Sequence, residues 1–247
     1  MKTLERLSNL DGLLKILSTE ELENSGTIFR LTDGTFKIFS DEGLTAAVAV
    51  QEDSDHCMFW GNWEDVDIPF DVLPKDGIFV SACAPDIIEI LKKHFKLDGE
   101  WPCWHFLAPE SYGSGEWDSL GPLKADEAPF IAKYWELGGD DREGHLRDRL
   151  GRFDSACVRK GGKPVAWCGL HFETSNFGNL GFAHTLDEHR RKGYASMVTK
   201  TLVNRLADRG KRATCHVIKD NEASIHLCEA MGFENVGELT WAYFRKD

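Results

Sequence analysis

The chain has 247 residues, 42% of them hydrophobic and 11% aromatic, with 29 basic and 41 acidic side chains and a formal net charge of -12. That is enough apolar material for a packed core and enough length for one large or two small domains. No apolar run approaches the roughly 18 residues that would span a bilayer, so no membrane partner is expected.

The charge is unevenly spread: residues 1–110 hold 9 basic and 21 acidic side chains, whereas residues 111–247 hold 20 of each. An acidic first half argues against nucleic acid as a partner. Seven cysteines, at 57, 83, 103, 157, 168, 215 and 228, make an odd count without a C-x-x-C pair. Reduced thiols in an intracellular protein are the simplest reading. The start, MKTLERLSNLDGLLKIL, reads as an amphipathic helix carrying Glu5 and Asp11. It resembles neither a secretory signal nor an Arg-rich leader, which favours the cytoplasm over the mitochondrion.

Next, Thr27 to Leu31, Thr35 to Ile38, Leu44 to Val50 and Cys57 to Trp60 read as short antiparallel strands, with turns at Asp33-Gly34 and Asp41-Glu42-Gly43. Gly77 to Ala82 reads as a strand running into a helix from Pro85 to Phe95. The aromatic run from Met58 to Trp63, with Trp101 and Trp104, reads as core or as the lining of a pocket. A Gly, Ser and Pro cluster at residues 109–124 reads as a linker, dividing the chain into domains 1–115 and 116–247.

After the linker, Ala125 to Leu137 reads as a helix stopped by Gly138-Gly139, and Asp141 to Leu150 as a second. Ser155 to Arg159, Pro164 to Phe172 and Leu180 to Leu186 are strands of a meander. Tyr194 to Ala207 is a helix with its stop at Gly210; a strand around Cys215, a helix from Asn221 to Met231 and a strand carrying Leu239, Trp241 and Tyr243 complete the order. The fold class is α+β.

Between the third strand of the meander and its helix lies Asp187-Glu-His-Arg-Arg-Lys-Gly-Tyr-Ala-Ser196. Gly193 and the small Ala195 let backbone approach a ligand closely, and the helix N-terminus offers amides and the positive end of a dipole. Such a cradle suits a pyrophosphate, with His189, Arg190, Arg191 and Lys192 adding positive charge. The spacing is not G-x-G-x-x-G, and Gly161-Gly162-Lys163-Pro164 is not a Walker loop. His56-Cys57, Cys103-Trp104-His105 and Cys215-His216 pair metal-capable residues without a second pair at zinc spacing, so no metal is expected.

Arg190-x-x-Gly193-x-Ala195 resembles the acyl-CoA motif R/Q-x-x-G-x-G/A of the GNAT acyltransferase superfamily, and Asn221 to Phe233 is similar to its later N-x-x-A-x-x-L-Y-x-x-x-G-F element. Ile131 to Gly139, Pro164-Val-Ala-Trp167 and Thr185 to Arg190 look like the glycine N-acyltransferase group, which also has a sequence-divergent N-terminal half of about this length. The resemblance implies a GNAT fold in the second half, with a central mixed sheet whose parallel strands splay around acyl-CoA. It implies CoA contacts at Thr185, Leu186, Arg190, Arg191, Lys192, Gly193, Tyr194, Ala195 and Ser196, with Asn221 facing the pantetheine.

The chain departs from that group at the catalytic positions. Asn179 stands where the glycine-conjugating enzymes have a Glu base, and an amide cannot take a proton at neutral pH. Glu173 before the strand and His184 on it are the other candidate bases. Cys228 occupies the place of the superfamily's thiolate-protonating Tyr; it reads either as the acid or as a small buried filler. The expected function is acyl transfer from CoA to a small amine or amino acid, with acetyl transfer to another amine or a protein, or acyl-CoA binding without catalysis, as the alternatives.

Overall fold

The computed structural model describes residues 2–7, 9–33, 36–52, 54–135 and 141–245. In chain order its elements are β1 (Glu5–Arg6), α1 (Asp11–Leu17), α2 (Glu21–Thr32), β2 (Phe36–Ser40), β3 (Ala46–Gln51), β4 (His56–Gly61), β5 (Gly77–Cys83), α3 (Pro85–Leu91) and β6 (Lys96–Leu107). Then follow α4 (Ala128–Ile131), α5 (Arg142–Arg152), β7 (Ser155–Lys160), β8 (Lys163–Glu173), β9 (Phe177–Thr185), α6 (Tyr194–Ala207), β10 (Arg212–Ile218), α7 (Glu222–Ala230) and β11 (Glu234–Arg245). The architecture is mixed α+β, and the chain forms two compact units: residues 1–104 with 218–220 and 237–247, and residues 105–217 with 221–236.

The strands of the first unit lie in the order β1-β2-β3-β4-β5-β11. β1 to β4 are antiparallel neighbours, whereas β4 and β5 run parallel. Both faces of β3 are buried: Ala46 and Val48 join Phe59, Trp63 and Ile78 in one apolar cluster, while Ala47 and Ala49 join Leu13, Leu17, Leu31 and Met58 in another. Period-two alternation separates the two sets. The aromatic run is therefore core: Phe59 and Trp63 are buried with ring centroids 5.2 Å apart.

Three local readings change in this unit. The chain start is extended over Glu5–Arg6, which pair with Ser40 and Phe39, and the helix begins only at Asp11. Leu4 packs on one apolar cluster and Leu7 on the other. Residues three apart share a face in a helix and take opposite faces in a strand, so only an extended segment serves both. Thr27 to Leu31 is helical, the end of α2, because the turn that starts at Glu21 carries through and buries Leu31 against Leu13 and Leu17. Its β-branched and aromatic content is a weak prior that packing overrides. β6 escapes sequence reading because Gly99 and Pro102 interrupt it, and both are depleted in strands. The Gly34 turn and Thr35 lie outside the described residues.

In the second unit the order is the end of β6, then β10-β9-β8-β7. Helix α6 is built as its spacing predicts: Val198, Leu202, Val203 and Leu206 form one buried stripe. It ends at Gly210, φ 71°, where the Lys211 amide donates to Leu206 O (2.9 Å) and the Gly210 amide to Ala207 O (2.8 Å). The expected single helix from Ala125 to Leu137 is instead a 3-10 turn, the four-residue α4, and a second 3-10 turn that leaves Trp135 extended. The change of direction brings the Trp135 ring within 5.1 Å of the His145 ring and 5.5 Å of the His171 ring. The Gly138-Gly139 stop lies outside the described residues.

Residues 109–124, expected to link two domains, lie within the second unit and are fastened to it. The Tyr112 amide donates to Asn204 Oδ1 (2.7 Å), the Thr201 hydroxyl to Trp117 O (2.7 Å), the Leu123 amide to Ser155 Oγ (3.0 Å), and the Cys157 amide to Gly121 O (2.9 Å). Arg205 of α6 reaches Asp154, Ser155 O and Leu120 O. The segment is ordered through side chains and single backbone bonds, which leave no periodic pattern in the sequence.

Among the described residues no helix is long and apolar enough to cross a membrane. In β11 the face with Thr240, Ala242 and Phe244 is buried, and the Leu239, Trp241, Tyr243 face is half-buried. Because α6 holds the loop before it through one apolar stripe, Leu202→Ala, at a fully buried position, should destabilise the protein by about 2–5 kcal/mol. Urea denaturation measures this, and a loss under about 1 kcal/mol would mean that the stripe is not the clamp.

Candidate active site

The site is built around the point where β9 and β10 part. The two strands are parallel, with rungs Arg212↔Phe177, Ala213↔Gly178, Thr214↔Asn179 and Cys215↔Leu180. Beyond Leu180, β9 is paired on its other side with β8, as far as Ala166↔Thr185. An extra residue enters β9 between Gly181 and His184, where Phe182 takes φ 37°. That left-handed value is strained for a bulky side chain, and such bulges re-aim a strand. The backbone of β9 thus turns away from β10 over Gly181 to Thr185, leaving donors and acceptors of a parallel edge unmatched.

Asn179, expected in the place of a base, is 2% exposed, and its Nδ2 donates to Thr214 Oγ1 (3.1 Å) across the second-last rung. It ties the two strands together where they begin to diverge. Glu173 lies at the far end of β8, opposite Gly178, and pairs with Arg209 (2.7 Å) and Lys211 (2.8 Å). Three residues of strand separate Gly178 from Gly181, about 10 Å. The geometry does not bring Glu173 to the splay. His184 lies on the face of Trp167, its rung partner; its ring is 4.7 Å from Tyr134 and 5.3 Å from Trp167. Burial first, and the nearby Arg190 charge second, push its pKa down, so it is held neutral.

Cys228, on α7, lies with its Sγ 3.7 Å from Cys215 Sγ, and Cys215 is the last rung of β10. A pair of thiols therefore sits at the divergence. The Cys215 thiol is raised well above its ordinary value by its hydrogen bond to Cys228 and by burial. Cys228 is lowered, chiefly by its hydrogen bond to Cys215. Tyr112 stands by the same pair; burial and the two sulfurs push its phenol up to about 12, and its hydroxyl donates to Met231 O (2.6 Å). Sequence reasoning missed Cys215 and Tyr112 as neighbours of Cys228, because their separations of 13 residues and more leave no local signal.

The loop between β9 and α6 closes the other side. Leu186 gives its amide to Val165 O (3.0 Å) and packs against the core cluster of α4 and α5. Thr185 Oγ1 is buried and has no hydrogen-bond partner. Arg190 donates to Thr185 O (3.3 Å) and pairs with Asp187 (2.9 Å), while Lys192 Nζ donates to Glu188 O (2.8 Å). Arg191 (φ 58°) and Gly193 (φ 76°) are both left-handed. Left-handed residues in a turn aim successive amides into one concavity. The first backbone bond of α6 is from the Met197 amide to Gly193 O (3.0 Å), so the amides of residues 191–196 find no acceptor among the described residues. A Cβ on Gly193 would meet no heavy atom within 4 Å, which leaves the space above the turn open. Unbonded amides, an open turn and three cations fit an anionic group of pyrophosphate type. Asn221 caps α7, its Oδ1 accepting from the Ser224 amide (3.1 Å).

The comparisons with known proteins fall on the same segment. Residues 156–242 match the family model described as FR47-like protein. Among solved structures, a Drosophila protein is 14% identical with TM-score 0.72, covering 99% of each chain. An acetyltransferase of the GNAT family from Colwellia psychrerythraea is 13% identical with TM-score 0.59, covering 98% of this chain and 99% of its own. A GCN5-related N-acetyltransferase-like protein from Streptococcus suis is 12% identical with TM-score 0.55, covering 96% and 100%. At these identities the likeness establishes the fold.

Among the described residues no group of three or more His, Cys, Asp or Glu side chains is arranged to hold a metal ion. All seven cysteines are free and buried. Burial pushes Cys57, Cys83, Cys103 and Cys168 up to about 12 and Cys157 up to about 11. Thiolate is the nucleophile, so Cys228 should be the first thiol alkylated by iodoacetamide at pH 8. Peptide mapping by mass spectrometry checks this, and prior labelling of any of those five would contradict the lowered Cys228.

Proposed function

We propose that the chain is an acyl-CoA-dependent N-acyltransferase of the glycine N-acyltransferase type, with residues 116–247 as the acyl-CoA-binding catalytic domain and residues 1–115 as that group's divergent N-terminal domain. The observation that carries this reading is the coincidence of a strand divergence with a donor-lined turn. The first offers unmatched backbone for a pantetheine arm, and the second offers amides for its phosphates.

In this reading the amides of residues 191–196 take the pyrophosphate, with Arg190, Arg191 and Lys192 supplying positive charge around it and Gly193, Tyr194, Ala195 and Ser196 forming its floor. Thr185, Leu186 and Asn221 flank the pantetheine. A neutral amine of a small acceptor, such as an amino acid, attacks the thioester carbonyl; the C–N bond forms, the C–S bond breaks, and the CoA thiolate leaves. Holding amine and thioester together supplies much of the rate, so the acid and base can be modest. Cys228 is suited to protonate the thiolate. Its sulfur lies 3.7 Å from that of Cys215, the last residue of β10 paired with β9, which puts the thiol at the strand divergence. The hydrogen bond that lowers the Cys228 pKa also favours surrender of its proton to the leaving thiolate.

A second reading, acetyl transfer to a different amine or to a protein amine, is favoured by the acetyltransferase names of the Colwellia and Streptococcus suis proteins. A mass-spectrometric assay separates the two: acetyl-, butyryl-, phenylacetyl- and benzoyl-CoA, each with a pool of amino acids and polyamines. N-acylated amino acids from the longer donors support the first reading. Products confined to acetyl favour the second, and intact acyl-CoA throughout, despite binding, supports a binder without catalysis.

Two variants test the residues. Gly193→Val forces a β-branched side chain into φ 76° and should weaken CoA binding tenfold or more by calorimetry; unchanged affinity would remove the phosphate loop from this turn. Cys228→Ser should lower kcat by about 100-fold while leaving acyl-CoA affinity within twofold, and an unchanged kcat would leave Cys228 as packing.

A further inference from the structure

Cys215 is the last rung of β10, so His216 is the first residue beyond it. Successive strand residues point to opposite faces. Cys215 is turned towards Cys228 of α7, which sends His216 to the other face. The neighbours identify that face. Thr214 shares it and is bonded to Asn179 of β9. Gly181, next on the same face of β9, is covered by His171 of β8; a Cβ there would lie 2.0 Å from His171 Nε2. His216 therefore stands half-buried on the face that carries His171, His145 and Trp135, across the sheet from the two thiols. Its ring meets His105 of β6 edge-on, with centroids 5.0 Å apart. His105 is 2% exposed, and its Nε2 has no hydrogen-bond partner.

We propose that His216 is the base that takes the proton from the acceptor amine, with His105 as the positioning residue behind it. This rests on the acyl-transfer reading and supplies a base beside β10, where Asn179 is an amide tied to Thr214, Glu173 is paired with two cations and His184 stacks on Trp167 and Tyr134. The placement separates the two proton transfers. The amine arrives on the His216 face and the thiolate leaves towards Cys228, one residue of β10 dividing the two sides. The nitrogen's proton goes to the His216 imidazole, the C–S bond breaks, and the thiolate takes the Cys228 proton; His216 then returns its proton to solvent, and Cys228 regains one.

His105 from β6 is a titratable group that meets the His216 ring, and His171 of β8 and His145 of α5 lie on the same face of the sheet. On β10 itself Arg212 lies four residues earlier, its guanidinium donating to Ala108 O (2.7 Å). Burial pushes His105 down to about 4, so it stays neutral and does not repel a protonated His216.

The test compares wild-type protein with His216→Gln, His216→Ala and His105→Gln, using acetyl-CoA and the amino-acid and polyamine pool. Calorimetry reads acetyl-CoA affinity, product formation reads kcat/KM against pH, and NMR follows the His216 ring in the acetyl-CoA complex. His216→Gln is expected to lose about 100-fold in kcat/KM and the acidic limb of the pH profile, with acetyl-CoA affinity within twofold. Added imidazole should restore part of the rate to His216→Ala, a rescue that a packing role would not allow. His105→Gln should shift the acidic limb without abolishing it. A fully active His216→Gln with the wild-type profile overturns the proposal and leaves the acyltransferase reading standing. Wild-type protein that binds no acetyl-CoA overturns both. Should wild type bind yet form no product, the NMR titration decides: a His216 ring that does not titrate above pH about 5, or does not respond to acetyl-CoA, overturns the assignment.

Discussion

Everything at the site depends on two parallel strands that cease to pair. Backbone amides and carbonyls are obligatory hydrogen-bonding groups, and a sheet normally consumes them. Here β9 and β10 share rungs only as far as Leu180 and Cys215, after which the bulge at Phe182 turns β9 towards β8 alone. The divergence needs a fixed origin, and the buried Asn179–Thr214 hydrogen bond provides one at the rung before the last. At that position an amide, which can donate and accept but takes no proton, serves as the tie.

The second unit keeps the opening in place from outside. Helix α6 is fastened through Arg205 and Thr201 to the segment before β7, and through its apolar stripe to the sheet. The amides at its start are consequently presented at a fixed point rather than by a free loop. Such preorganised donors contribute most where they need not reorganise when a ligand arrives. The alternation of β10 then separates two pairs: Cys215 meets Cys228 on one face, and His216 meets His105 on the other.

Much of the second unit is legible in the sequence. The stripe of α6, the glycines that stop it, the order of the elements and the turn at Gly193 are all local signals, because each is set by residues within one or two turns of chain. Reading failed where a residue's conformation answered to a distant partner. Leu4 and Leu7 serve two different clusters, so the chain start is extended; Leu31 joins Leu13 and Leu17, so a strand-like run is helical. Trp135 leaves the expected helix to pack on His145 and His171. At the site, Glu173 is a reasonable base by residue type and Asn179 is not; the ion pairs of the one and the hydrogen bond of the other are formed with residues 35 to 38 positions away, which no local pattern shows.

What the amino-acid sequence by itself determined is the fold class, the order of elements in the second half and the turn at Gly193 that starts α6, since periodicity, helix stops and glycine placement act within short stretches of chain. Only the tertiary structure decided which thiol meets which, which imidazole shares a face with which, and that Asn179 is a tie. Those are facts about strand register and face, and a register is set by packing between segments that the sequence does not place side by side.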